Sequence, residues 1–178
     1  MKNWHTEKLT VDDSYVDYLS KVPVTKLMEM FEIATFKHSN IMGLDHKTME
    51  EKSNAFWVVT KMKLIPNSEI FSGDKIRVTT WTRELGTARA LRDCIIKKGN
   101  NLKAKFIAEW CCLDLSTRRL RRMNSISYPK LEMEKTKNIK SEFTNLKFKV
   151  EDKDYVYTRE IRSTDIDINN HTNNLKYN

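Results

Sequence analysis

The chain has 178 residues, 39% hydrophobic and 31% charged, with a net charge of +8. That length suits one domain or two small ones with a heavily ionised surface, and the charge favours an acidic partner: nucleic acid, an anionic membrane or an acidic carrier protein. No stretch approaches the length of a membrane-spanning apolar helix, and the three cysteines Cys94, Cys111 and Cys112 form no CxxC pair, which excludes a disulfide framework and a zinc site.

In chain order, residues 4–11 alternate loosely and predict an edge strand. From Val24 to Met42 the period becomes helical: Leu27, Phe31, Ala34, His38 and Ile41 recur at steps of four and three and form one apolar stripe. Gly43 follows as a C-cap, and Thr48 to Lys52 add a helical turn. Ala55 to Leu64 is rich in aromatic and β-branched residues and predicts a strand that Pro66-Asn67-Ser68 breaks. Lys75 to Arg83 alternates Ile76, Val78 and Thr80 against Arg77, Thr79 and Trp81. Gly86 marks a turn, Ala88 to Lys97 a strand, Gly99-Asn100-Asn101 a hairpin, and Leu102 to Leu115 a long strand. One long helix beside consecutive hairpin-linked strands argues an α+β layer pair, the helix covering one face of an antiparallel sheet. Residues 129–150 carry many Lys and Glu and few large apolar side chains, which reads as a linker. Tyr155 to Ile161 alternates as a strand again, and 172–178 could open a helix.

The densest chemistry is Asp165-Ile166-Asp167-Ile168-Asn169-Asn170-His171-Thr172-Asn173-Asn174. In an extended segment Asp167, Asn169 and His171 share one face, which would set a carboxylate, an amide and a titratable ring in one cleft, the equipment of general acid/base hydrolysis. The bland reading is a loop, because Asp and Asn bond their own backbone in turns.

Four segments together resemble the acyl-acyl-carrier-protein (acyl-ACP) thioesterase family. They are Phe56 to Met62, Gly73 to Trp81, Trp110 through Asp114 to the basic turn Thr117-Arg118-Arg119-Leu120-Arg121-Arg122, and the Asp165 to Tyr177 run with its D-x-N-x-H-x-N-N spacing. The resemblance spans the chain in order. It implies a tandem hot-dog fold, with a hot-dog domain over 1–128, a linker over 129–150 and the beginning of a second hot-dog over 151–178, cut short within that domain. It also implies hydrolysis of the thioester between a fatty acyl chain and acyl carrier protein, ending chain elongation, with Asp167, Asn169 and His171 at the catalytic positions and no cofactor or metal. The family carries a further catalytic Glu or Cys downstream of the histidine, beyond the end of this sequence.

Met28, Phe31, Trp57 and Met62 are then candidates for the acyl pocket, since methionines suit a flexible chain; a packed sheet core is the competing reading. Arg118, Arg119, Arg121 and Arg122 are candidates for docking the acidic carrier, against a solvated turn or nucleic-acid binding; the latter lacks any recognised motif beside the patch. His38 reads as a core or pocket-edge histidine with satisfied nitrogens, and the cysteines as buried, reduced packing residues. Without a signal or transit segment, the expected location is the bacterial cytoplasm. A homo-oligomer is left open. The rival functions are a catalytically incomplete acyl- or carrier-binding module and a single hot-dog acyl-CoA thioesterase that dimerises.

Overall fold

A computed structural model gives the fold and describes residues 3–83, 85–130, 136–140, 143, 149–167, 172–173 and 176. The chain divides into two compact units, Met1–Glu142 and Phe143–Asn178.

The first unit contains every regular strand and α-helix among the described residues. In order they are β1 (Trp4–Thr10), α1 (Val24–Met42), α2 (His46–Ser53), β2 (Ala55–Pro66), β3 (Lys75–Thr82), β4 (Arg89–Lys98) and β5 (Asn101–Asp114). Helix α1 has no glycine or proline inside it, and Pro23 precedes it at the N-cap, where a missing N–H costs nothing. Leu27, Met30, Phe31, Ala34, Thr35, His38 and Met42 form its buried face. Ile41, expected on this stripe, is 54% exposed, and Met42 takes the place instead. At 100° per residue the two flank the stripe's axis about equally, and the last turn buries the flexible thioether.

Gly43 ends α1 at φ +67°, its N–H returning to Asn40 and Ser39 carbonyls. A Cβ there would meet nothing closer than Thr48 Cγ2 at 3.9 Å, so only backbone strain opposes a side chain. Gly43→Ala should therefore cost about 1 kcal/mol and lower Tm by roughly 2–4 °C. Thermal unfolding checks this; an unchanged Tm would mean the left-handed turn does not matter to stability. Helix α2 starts at Asp45, whose carboxylate accepts from Thr48 N at 3.1 Å.

The sheet has the order β1-β3-β4-β5-β2, with every pair antiparallel. Strand β2 runs through Pro66 instead of stopping before it. It lies at the sheet edge, where a residue without an N–H breaks no ladder on its open side. A bulge at Thr60 breaks the β2–β5 register, and the Thr60 hydroxyl donates to Glu109 Oε1 at 2.8 Å. Gly99 turns the β4–β5 hairpin at φ +58°. Phe31 of α1 stacks on Phe106 of β5 with ring centroids 5.2 Å apart, and Ile76, Val78, Cys94, Ile96, Ala104 and Ala108 complete that core. A long helix laid on one face of an antiparallel sheet is the α+β hot-dog arrangement expected from the sequence.

The opposite face of the sheet carries a buried pair. Arg83 Nη2 donates to Asp93 Oδ1 at 2.9 Å, and Arg83 Nε also donates to that carboxylate. Residues 136–140, which fall inside the stretch expected as a linker, lie on this face. Asn138 Nδ2 donates to Cys94 O at 2.7 Å, Trp81 Nε1 donates to Thr136 O at 3.0 Å, Arg83 Nη2 donates to Ile139 O at 3.2 Å, and Ile139 is buried.

In the second unit, Asp152–Asp154 and Ser163–Asp165 are single 3₁₀ turns. Tyr155 to Ile161, expected as a strand, forms no ladder. Its alternation is real, but a strand exists only when a neighbour takes its N–H and C=O groups, and none of the described residues does so; Val156 remains 83% exposed.

Candidate functional site

The Asp165 to Asn173 run is held at both ends. Asp165 is buried and accepts from Arg162 N at 3.0 Å and from Arg159 Nη2 at 2.7 Å. The Arg162 N–H first, and the Arg159 guanidinium with it, hold this carboxyl below the usual carboxylate range. Ile166 and Thr172 form an antiparallel bridge, and Asn173 N donates to Asp165 O at 2.8 Å. The two ends of the run thus lie side by side, where one continuous extended strand would set them far apart. Of the expected catalytic residues, Asp167 stands just inside this closure and is half-buried; Asn169 and His171 lie outside the described residues. Asp165, not singled out from sequence, is the acid that ties the loop's base.

The expected acyl-pocket residues all belong to the first unit. Phe31 is fully buried in the core between α1 and the sheet, with Met28 and Met62 partly buried against it. Trp57 packs against a second core around Met42, Met49, Cys112 and Met123. Trp110 of β5 touches both cores.

The basic turn separates into two roles. Arg121 donates to Ser53 O at 2.7 Å, Ser125 O at 2.7 Å and Asp114 Oδ2 at 3.4 Å, so it staples the end of α2 to the chain after β5. Arg118, at φ +59°, sits 4.8 Å over the Phe56 ring. Arg118, Arg119 and Arg122 are exposed. Beside this turn, Leu85, Met123, Ile126, Tyr128, Pro129 and Lys130 wall a cleft of about 550 Å³.

His38 is buried, and its Nδ1 lies 2.8 Å from Arg92 Nη1. A guanidinium has no lone pair to offer, so Nδ1 accepts and the ring is neutral with its proton on Nε2. Arg92 itself escaped sequence reasoning. The available signal was a cation in the helix-facing row Ala90, Arg92, Cys94, Ile96 of β4, where alternation demands an apolar residue. Arg92 is 5% exposed; burial pulls its pKa down to about 10, against smaller opposing effects of Tyr128 and Cys94. It therefore stays charged near neutrality.

The three cysteines are free and buried, as expected. Burial pushes the Cys112 thiol up to about 11 and raises Cys94 further, so neither is a thiolate near neutrality. Among the described residues no cluster of His, Cys, Asp and Glu could hold a metal ion, and no helix is long and apolar enough to cross a membrane.

Residues 2–127 match the family model of the acyl-ACP thioesterase N-terminal domain. The chain is 27% identical over 173 residues to a chloroplastic acyl-[acyl-carrier-protein] hydrolase, FATB3, of Cuphea viscosissima, which covers 86% of this chain and 40% of that protein. The chain thus spans about 40% of the length of this curated relative. An acyl-ACP thioesterase from Bacteroides thetaiotaomicron superposes with a TM-score of 0.84 at 20% identity, over 98% of this chain and 70% of that one. The 12:0-ACP thioesterase from Umbellularia californica superposes at 0.82 and 19% identity, over 99% of this chain and 73% of that one.

Proposed function

The chain belongs to the acyl-ACP thioesterase family, and from that premise we propose that it hydrolyses the thioester of fatty acyl-ACP, releasing free fatty acid and ending chain elongation in fatty acid biosynthesis. The observation that carries this reading is the family match over residues 2–127 on a helix-on-sheet domain. In this reading the first hot-dog, over 1–128, holds the acyl chain between α1 and the sheet, near Met28, Phe31, Trp57 and Met62. Residues 129–150 lead to the opening of a second hot-dog over 151–178. There Asp167 or His171 activates water, or Asp167 attacks the carbonyl, and Asn169 orients the carboxylate or substrate. The Asp165 closure supports this by giving Asp167 a fixed base. The chemistry needs no cofactor. Free thiols agree with a reducing cytoplasm.

The docking partner is acyl carrier protein, through Arg118, Arg119 and Arg122; Arg121 is already spent on Ser53 and Ser125. Arg119→Glu with Arg122→Glu should weaken carrier binding about tenfold at low salt and flatten its salt dependence, since exposed charges act mainly by long-range steering. Titration at several ionic strengths reads this out, and a salt-insensitive affinity in the unsubstituted chain would defeat the docking assignment.

The deciding experiment is free fatty acid release by the purified chain from a panel of acyl-ACPs, with carrier binding measured alongside. Release supports the hydrolase. Binding without release leaves an acyl- or carrier-binding module, and release from acyl-CoA but not acyl-ACP favours the dimerising single hot-dog enzyme.

A further inference from the structure

Three donors lie in the interior between α1 and the sheet with too few acceptors. Arg92 places its guanidinium there with only Nη1 engaged, toward His38 Nδ1 at 2.8 Å and Thr80 Oγ1 at 3.4 Å. No carboxylate among the described residues pairs with it. The Trp110 indole N–H is buried and has no hydrogen-bond partner among the described residues, and the same holds for the hydroxyl of Thr35, itself 4% exposed. The register brings Arg92 and Trp110 together. Arg92 pairs with Ala108 and Ala90 with Trp110, so Arg92 and Trp110 are diagonal neighbours on the helix-facing side of adjacent strands, within reach of long side chains. Thr35 lies three residues before His38 on the buried face of α1.

A buried cation is tolerated when something neutralises it. Water would satisfy the N–H groups and leave the charge. A small inorganic anion would neutralise the charge and leave its own far side against a hydrocarbon wall of Leu27, Phe31 and Phe106. An anion that carries its own alkyl tail answers both demands. The surroundings can yield to such a tail, because Met28, Met30, Met42 and Met62 pack nearby with unbranched, adaptable side chains. Tyr128, which walls the cleft beside Met123 and Ile126, also acts electrostatically on Arg92.

We propose that Arg92, Trp110 and Thr35 form an internal carboxylate site that binds a free fatty acid, its head group on the guanidinium and its chain among the apolar residues under α1. The fatty acid is the product of the proposed hydrolysis and would occupy the interior that holds the substrate's acyl chain, so its binding would compete with substrate. It rests on the reading of the first unit as the acyl-holding one.

Calorimetric titration of the full chain with decanoate, decanol and acetate tests it. Decanoate should bind once per chain and at least tenfold tighter than decanol, with acetate failing to compete at the same concentration. Arg92→Met should abolish the preference for decanoate over decanol, Arg92→Lys should keep part of it, and Trp110→Phe should weaken decanoate several-fold. Equal affinity for decanoate and decanol, or unchanged decanoate binding in Arg92→Met, would overturn the site. Effective competition by acetate would overturn the fatty acid as its ligand. If Arg92→Met does not fold, Trp110→Phe decides: an unchanged decanoate-to-decanol ratio counts against the proposal. Decanoate failing while acyl-ACP still binds removes the carboxylate site alone; both failing removes the acyl-holding reading too.

Discussion

His171→Ala should lower acyl-ACP turnover by at least about 100-fold, the scale on which a positioned acid or base contributes, and should leave acyl-ACP affinity within a few-fold. Asp167→Ala should do the same. The two effects should not add, because a base and the group that orients it act as one unit. Single-turnover hydrolysis of one acyl-ACP, with binding measured on the same preparations, separates chemistry from capture. Residual turnover within tenfold of the unsubstituted chain in either variant would remove that residue from the chemistry. A loss of binding equal to the loss of rate would mean the substitution had damaged the loop closed by Ile166, Thr172 and Asp165.

Asp93→Ala should destabilise the first unit by about 3–5 kcal/mol, the usual cost of leaving one member of a buried ion pair alone. Asp93 is completely buried and Arg83 is 5% exposed. Removing the carboxylate strands the guanidinium on the sheet face and also takes the acceptor of Asn138 N, at 3.3 Å, from the segment that lies there. Tm should fall by roughly 10 °C, and residues 136–140 should become accessible to protease while α1 and the sheet persist. Replacing both partners, Arg83→Met with Asp93→Leu, should recover most of the loss, since a hydrophobic pair carries no desolvation penalty. Chemical denaturation of the two variants gives the answer. If the single substitution costs less than 1 kcal/mol, the pair is not what anchors that face.

The two groups of substitutions rest on different features of the chain. The proposed catalytic positions come from a linear motif, and the anchoring pair comes from contacts that no local pattern announces. Helix α1 was legible at both ends, because an uninterrupted 3.6-residue period between Pro23 and Gly43 has only one good solution. Strands β3 to β5 were legible for the same reason at period two, and their boundaries fall within a residue or two of the alternation. The reading failed where a neighbour decides. Tyr155 to Ile161 alternates like a strand, and none of the described residues pairs with it. Pro66 looks like a breaker and is harmless on an edge. Arg118, Arg119, Arg121 and Arg122 look equivalent in sequence, yet Arg121 is consumed by Ser53 and Ser125, contacts set by where α2 ends.

By itself the sequence determined the family, the α+β class and the order of elements, since these follow from short-range periodicity and from motifs whose spacing survives without any knowledge of partners. Only the tertiary structure decided that Arg92 is a buried cation without a carboxylate among the described residues, that Arg83 and Asp93 pair under residues 136–140, and that Asp165 ties the base of the loop carrying Asp167. The physical reason is common to all three. A charge is tolerated or costly according to what surrounds it, and those surroundings come from strands and helices tens of residues away, brought together by register and packing.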